Sequence, residues 1–265
     1  MIKRLYNNRF LYSRRIVQIS VLLLLVSGNV LGWTILRGDL SFSEMFEIVP
    51  IADPFAVLQM FFAGSVIAVD LIIGSIIVLV LYGLVLGRTF CSWICPLNMI
   101  TDLAAKLRTW IDKNKPGGKI TISRNIRYWL IGLTLILSFV FNVAAFEMIS
   151  PISILHRGII YGFGLGWTLI LAVFLFDLVA IKDGFCGHIC PLGGFYSFIS
   201  KYARLKVLHN HVACTSCMDC KIVCPEVPIL KQIGKESGFI LSGECTNCGR
   251  CIEVCPDDAL RFKIR

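Results

Sequence analysis

Eight cysteines in the C-terminal quarter carry the most specific chemical signal in this sequence. They read Cys214-x-x-Cys217-x-x-Cys220-x-x-x-Cys224-Pro225 and, after a spacer, Cys245-x-x-Cys248-x-x-Cys251-x-x-x-Cys255-Pro256. This is the spacing of bacterial two-cluster ferredoxins. There a tight triplet wraps three irons, and the remote cysteine before proline ligates the other cluster. The rule assigns Cys214, Cys217, Cys220 and Cys255 to one [4Fe–4S] cluster, and Cys245, Cys248, Cys251 and Cys224 to a second. A zinc site uses paired cysteines and needs neither a third cysteine at the same step nor a following proline. All twelve cysteines fall in CxxC or CxxxC groupings. That clustering suits metal in a reducing compartment, not a secreted disulfide framework.

The remaining four cysteines form a second pattern. Phe90-Cys91-Ser92-Trp93-Ile94-Cys95-Pro96-Leu97 returns as Phe185-Cys186-Gly187-His188-Ile189-Cys190-Pro191-Leu192. A spacing of four puts both thiols of a pair on one helical face, and the proline marks a change of backbone. If the pairs converge, Cys91, Cys95, Cys186 and Cys190 make either a metal site, holding a third cluster or a zinc ion, or a redox-active dithiol arrangement. The plainer alternative is that they pack as small apolar side chains. Their shared flanks weigh against it.

The elements that must position these residues are apolar. Only 16% of the 265 residues are charged, against about a quarter in a soluble domain, and the mean hydropathy is +0.76. The net charge is +9. The basic residues flank apolar spans, so the chain points to membrane lipid and not to nucleic acid. Four spans are expected, at residues 16–36, 66–86, 128–146 and 159–181; a crossing needs ~20 apolar residues. Residues 1–15 read as a basic cytoplasmic tail with Lys3, Arg4, Arg9, Arg14 and Arg15. Arg14-Arg15 only faintly resembles a twin-arginine signal, and no cleavage site follows. Residues 37–63 form an acidic loop broken by Pro50 and Pro54. The next loop is basic, with Lys106, Arg108, Lys113, Lys115, Lys119, Arg124 and Arg127. Within it, residues 101–111 have the periodicity of a helix on the membrane surface, ended by Pro116-Gly117-Gly118. The Lys/Arg bias places both termini and the ferredoxin cysteines in the cytoplasm.

The expected fold is an α-helical integral membrane protein. Four transmembrane helices make two parallel repeats, each a span, an outer loop, a span and then FCxxxCPL, over residues 16–203. A C-terminal α+β two-cluster ferredoxin-like domain fills residues 204–265.

Spans, paired FCxxxCP motifs and doubled cubane motifs together resemble the NapH family of membrane ferredoxin-type proteins. The likeness covers nearly the whole chain. Phe90 to Asn98, Cys186 to Pro191 and Val49-Pro50-Ile51-Ala52-Asp53-Pro54-Phe55 look like its signatures. The resemblance implies a multi-pass protein of the bacterial inner membrane that acts as a quinol dehydrogenase. Its partners would be quinol, a periplasmic iron–sulfur protein of NapG type and a periplasmic nitrate reductase system.

A quinol site needs proton acceptors. Asp177 is an intramembrane acid and His188 lies between the second pair of cysteines, so both are candidate catalytic residues. The plainer reading of His188 is a polar residue at the interface. Glu147 and His156 mark another possible pocket on the outer side. Two other roles compete with quinol oxidation. One is assembly or maturation of a respiratory metalloenzyme; the other is regulation by a membrane sensor.

Overall fold

In a computed structural model, residues 8–111, 123–162 and 164–265 are described. Lys3, Arg4, Lys113, Lys115, Lys119 and Pro116-Gly117-Gly118 fall outside them. The chain divides into two compact units. One comprises Met1–Gln18, Val80–Ile94 and Tyr196–Arg265; the other comprises Ile19–Leu79 and Cys95–Phe195.

The first helix, α1 (Arg9–Val30), begins before the expected span. Its leading turns absorb half of the expected tail: Leu11 N–H bonds Glu253 Oε1 at 2.9 Å, and Phe10 stacks edge-on against Phe262. The helix ends early, just ahead of Gly32 at φ 74°. The expected acidic loop instead holds an antiparallel sheet, β1 (Leu36–Gly38), β2 (Phe42–Met45) and β3 (Val49–Ala52), followed by α2 (Pro54–Phe62). Asp53 caps α2 by accepting from the Phe55 and Ala56 N–H groups, with Pro54 in the first turn. Caps of this kind satisfy donors that a helix start leaves open.

Helix α3 (Val69–Val80) runs into a π-helical stretch, Leu81–Leu86. Next come the π-turn Phe90–Ile94 and α4 (Leu97–Ile111). Helix α4 is not free on a surface. Its buried Thr101, Asp102, Ala104 and Ala105 give it a packing face, and it lies against α8 (Trp167–Val179). Between them run α5 (Ile126–Phe141), α6 (Ala145–Ile149) and α7 (Pro151–Tyr161). Ser150 caps α7 as Asp53 caps α2, again with proline in the first turn. The expected fourth span therefore starts late. Residues 159–161 finish α7, and Gly162, Gly164 and Gly166 separate it from α8; Gly162 sits at φ 103°, where a β-carbon is strained.

Arg9–Val30 and Val69–Leu86 are long and apolar enough to cross a membrane. Helices α5 and α8 have 16 and 13 residues, and a rise of ~1.5 Å per residue makes each shorter than a ~30 Å hydrocarbon core. Their polarity is inverted relative to a soluble core. The buried residues of α5 are Arg127, Thr134 and Ser138, while Trp129, Ile136 and Phe139 are exposed. In α8, Val173 and Asp177 are buried. Apolar faces of this extent need a covering of lipid or protein.

After α9 (Pro191–Ile199), the chain enters the ferredoxin-like part. Strand β4 (Leu205–His209) pairs antiparallel with both β5 (Gly238–Phe239) and β6 (Leu260–Ile264). Two short helices, α10 (Asp219–Val223) and α11 (Arg250–Glu253), pack together beside the sheet. Val207, Leu230, Ile233, Ile240, Ile252 and Leu260 share this core with Cys220 and Cys251.

The same unit holds a fully buried ion pair, Arg88 Nη1 to Glu226 Oε1 at 2.9 Å. Removing one partner strands the other charge, at a cost of ~3–5 kcal/mol, whereas apolar replacement of both is often neutral. The Arg88→Met variant should therefore lower the unfolding midpoint in detergent more than Arg88→Met with Glu226→Leu. A double variant no better than the single would contradict this account.

Candidate iron–sulfur sites

Cys214, Cys217, Cys220 and Cys255 line one small pocket together with Ile233, Ala259 and Leu260. These are the four residues that the crossed ferredoxin rule groups. The loop with Cys214 is tied to the segment after Cys255, because Asp257 Oδ2 accepts from Thr215 Oγ1 at 2.6 Å and from its N–H at 3.1 Å. Burial pushes the Cys220 thiol up, and Cys217, Cys255 and Cys214 push it further. Cys217 is exposed.

The other set is more enclosed. Burial raises the Cys251 thiol well above its usual value, and the charges of Cys248, Cys245 and Cys224 add to the effect. Burial also pushes Cys245 up to about 11, with Cys248 raising it and Lys206 and Arg88 opposing. Thiols crowded together in apolar surroundings resist ionisation unless a cation shares the site. Iron supplies that charge, so both donor sets fit a cluster. Positive φ values at Ser216, Met218, Asn247 and Gly249 turn the ligand loops back between cysteines.

The first CxxxC turn is bonded to the second ligand loop. Ser92 Oγ donates to Thr246 O at 2.7 Å, and Trp93 Nε1 donates to Asn247 O at 3.0 Å. Asn247 Nδ2 in turn donates to Leu86 O and Leu205 O, at 2.9 and 3.0 Å. Gly87 lies beneath that amide at φ 70°; a β-carbon there would stand 3.2 Å from Asn247 Nδ2. Arg88 also reaches Glu244 O, beside Cys245. Sequence reasoning passed over Arg88, Trp93 and Asn247. Arg88, a charge closing an apolar run, was the one visible signal.

The second CxxxC turn has different supports. Asp177 Oδ1 accepts from Phe185 N–H at 2.8 Å, and the buried Arg127 donates to Gly187 O at 3.2 Å. Cys186 Sγ lies 4.0 Å from Thr101 Oγ1, and Cys190 Sγ accepts from Gly193 N–H at 3.4 Å. Asp177 thus anchors the turn, and its Oδ2 is buried without a hydrogen-bond partner. His188 sits half-buried in the turn itself. Among the described residues, no three Cys, His, Asp or Glu side chains gather as ligands of a single ion.

The outer pair Glu147 and His156 belongs to a polar staple. Arg157 donates to Asp39 Oδ2 at 2.8 Å and to Glu147 Oε1 at 2.9 Å. His156 is buried, its Nε2 3.8 Å from Asp39. Burial pushes the Asp39 carboxyl up, but His156, the Phe42 N–H and Arg157 together hold it well below the usual range. Glu147, Arg157, Ser153 and Tyr161 line an open cavity beside the staple, and His156 does not face it.

Comparison with known proteins agrees with this chemistry. The family described as "4Fe-4S binding domain" matches residues 67–116 and again 160–209, each match containing one CxxxCP pair. The family described as "4Fe-4S dicluster domain" matches residues 206–256. Ferredoxin-type protein NapH of Escherichia coli is 40% identical over 98% of this chain and 91% of its own length. The NapH of Haemophilus influenzae is 38% identical over the same shares. Methylamine utilization ferredoxin-type protein MauN of Methylorubrum extorquens is 38% identical over 95% of this chain and 88% of its own. No solved structure matches. This is a ferredoxin-type iron–sulfur electron-transfer protein, and the chain belongs to the NapH family.

Proposed function

We propose that this chain is a quinol dehydrogenase subunit of the bacterial inner membrane. It passes electrons from the quinol pool, through an iron–sulfur partner of NapG type, towards a periplasmic nitrate reductase system. The observation that carries the reading is the bonding of Ser92 and Trp93, in a turn that closes an apolar helix, to the Thr246–Asn247 ligand loop. One-electron transfer is what iron–sulfur centres supply when bound. Cys214, Cys217, Cys220 and Cys255 would hold one, and Cys245, Cys248, Cys251 and Cys224 the other.

In this reading residues 16–203 form four spans in two parallel repeats, preceded by the basic tail and followed by the ferredoxin-like domain. The inverted polarity of α5 supports lipid contact. So do the side-chain caps on α2 and α7, because backbone groups at membrane depth must be satisfied within the protein. Asp177 and His188 would hydrogen-bond the quinol and accept its protons; the open oxygen of Asp177 supports that role. The CxxxCP cysteines would form one site for a metal or a third cluster.

In a second reading the chain supplies electrons during assembly or regulation of a respiratory metalloenzyme and oxidises no quinol; the likeness to a ferredoxin-type protein named for methylamine utilization shows that the resemblance extends beyond proteins named NapH. Reduced quinol added anaerobically to the purified protein should elicit a reduced-cluster EPR signal. Clusters that respond to dithionite but never to quinol would favour the second reading.

Two further outcomes are expected. Cys91→Ser and Cys186→Ser, at matched membrane levels, should each abolish quinol-dependent reduction, and the double variant should lose nothing more, because residues acting as a unit are non-additive. Near-normal activity in both single variants would refute a shared site. Reporter fusions after Arg265 and at Glu47 should report opposite sides of the membrane; matching signals would overturn the four-span layout.

A further inference from the structure

Lysine 206 occupies a position that strand alternation leaves for solvent. Its neighbour Val207 faces the ferredoxin core, so Lys206 points to the opposite face. That face is covered. Lys206 is only 2% exposed, its ammonium donates to Ser200 O at 3.0 Å, and Ser200 Oγ donates to Gly243 O at 2.7 Å. Among the described residues, no carboxylate stands within ion-pair distance of the ammonium. Its cross-strand partner is Lys263, and Arg265 is close enough to repel it. A buried cation is costly unless an opposite charge compensates it. Ser200 ties the lysine to Gly243, two residues before Cys245, and Asn247, two residues after it, donates to the adjoining Leu205 O, so Lys206 lies against the Cys245 ligand loop.

Burial disfavours the charged form of this lysine. A four-thiolate cubane is an anion and gains one more negative charge on reduction, so it supplies the missing counter-charge. Arg88 lies near the same cysteine, but its charge is spent on Glu226. The other ligand set has no such buried lysine among its lining residues; its cavity instead carries the Asp257 carboxylate. Net charge around a cluster is one of the protein's levers on reduction potential.

We propose that Lys206 is the built-in counter-charge of the cluster ligated by Cys224, Cys245, Cys248 and Cys251, and that it sets this cluster at the higher reduction potential of the two. The inference rests on the two-cluster reading and is independent of which donor reduces the protein. It makes the cluster beside the Ser92–Trp93 turn the preferred resting place of the first electron, with the more exposed cluster following.

The test is an EPR-monitored redox titration of the full-length protein in detergent, comparing wild type with Lys206→Met and Lys206→Arg. In wild type two [4Fe–4S] components should titrate separately, and Cys248→Ser should remove or displace the higher-potential one. Lys206→Met should raise the oxidised-to-reduced ratio of that component at fixed potential by about tenfold, a downward shift of about 59 mV for one electron. The other component should stay in place, and Lys206→Arg should keep the wild-type value. If Lys206→Met loses only this cluster while Lys206→Arg retains it, the charge requirement is upheld in stronger form. Equal shifts in both components, no shift in either, or equal damage from Met and Arg would overturn the inference. A wild type that binds no pair of clusters would overturn the two-cluster reading itself.

Discussion

Crowded thiolates are unstable company without a cation, and much of the C-terminal architecture follows from that. The ferredoxin-like core is too small to be separate from its ligands: Cys220 and Cys251 are members of the same buried cluster as Val207, Ile240 and Leu260. Burial and mutual repulsion raise these thiols. In the metal-free chain the core would therefore bury protonated thiols, and with iron the same residues become both ligands and packing. Metal binding and folding free energy are then one quantity. Cys255 lines one pocket with the first triplet, and crossed ligation there would make a cluster a staple between distant stretches of chain.

The duplicated CxxxCP motif shows how one local sequence is put to two uses by its surroundings. Both copies form a π-helical turn, Phe90–Ile94 and Phe185–Ile189. The first is held by the ligand loop of a candidate cluster through Ser92 and Trp93. The second has Gly187 and His188 at those positions and is held from below by Asp177 and from the side by Arg127. The side chains that bond outward in the first copy are missing from the second, so the two turns cannot be interchangeable even if their thiols share a metal.

Cysteine spacing was the most legible signal, and the structure brings together in one pocket the four cysteines Cys214, Cys217, Cys220 and Cys255 that it groups. Hydropathy was less informative. It located apolar stretches but ran through helix breaks that depend on single residues, as at Gly32 and Gly162. It also missed the sheet at Leu36 to Ala52, whose strands are only three or four residues long. Amphipathic periodicity found α4 correctly as a helix but could not say that it would pack against α8 through small and polar residues such as Thr101, Asp102, Ala104 and Ala105 while Leu103 and Trp110 stay exposed. Lys206 gave no signal at all. In Leu205-Lys206-Val207-Leu208-His209 it reads as the ordinary solvent-facing member of a strand, and only the covering of that face by the segment around Ser200 makes it unusual.

The interior of the apolar unit mixes apolar contacts with buried polar side chains. On α5 and α8 polar Arg127, Thr134, Ser138 and Asp177 face inward while large side chains such as Trp129, Ile136 and Phe139 face outward, so polar satisfaction works beside apolar contacts such as Phe55 against Phe146. Gln59 illustrates it: fully buried, it donates to Phe55 O and accepts from the Phe146 N–H at 2.8 Å, joining α2 to the start of α6. Ser138 does the same for the Ala145 N–H at 3.2 Å. Asp53 and Ser150 close the remaining open donors at the starts of α2 and α7. Each supplies an acceptor to a backbone N–H at or near the start of a helix, a group that the helix itself leaves open. An acid such as Asp177 fits the same logic before it fits any catalytic one. Its first duty is to supply the acceptor that the Phe185 N–H requires, and proton chemistry is available only to the oxygen left over.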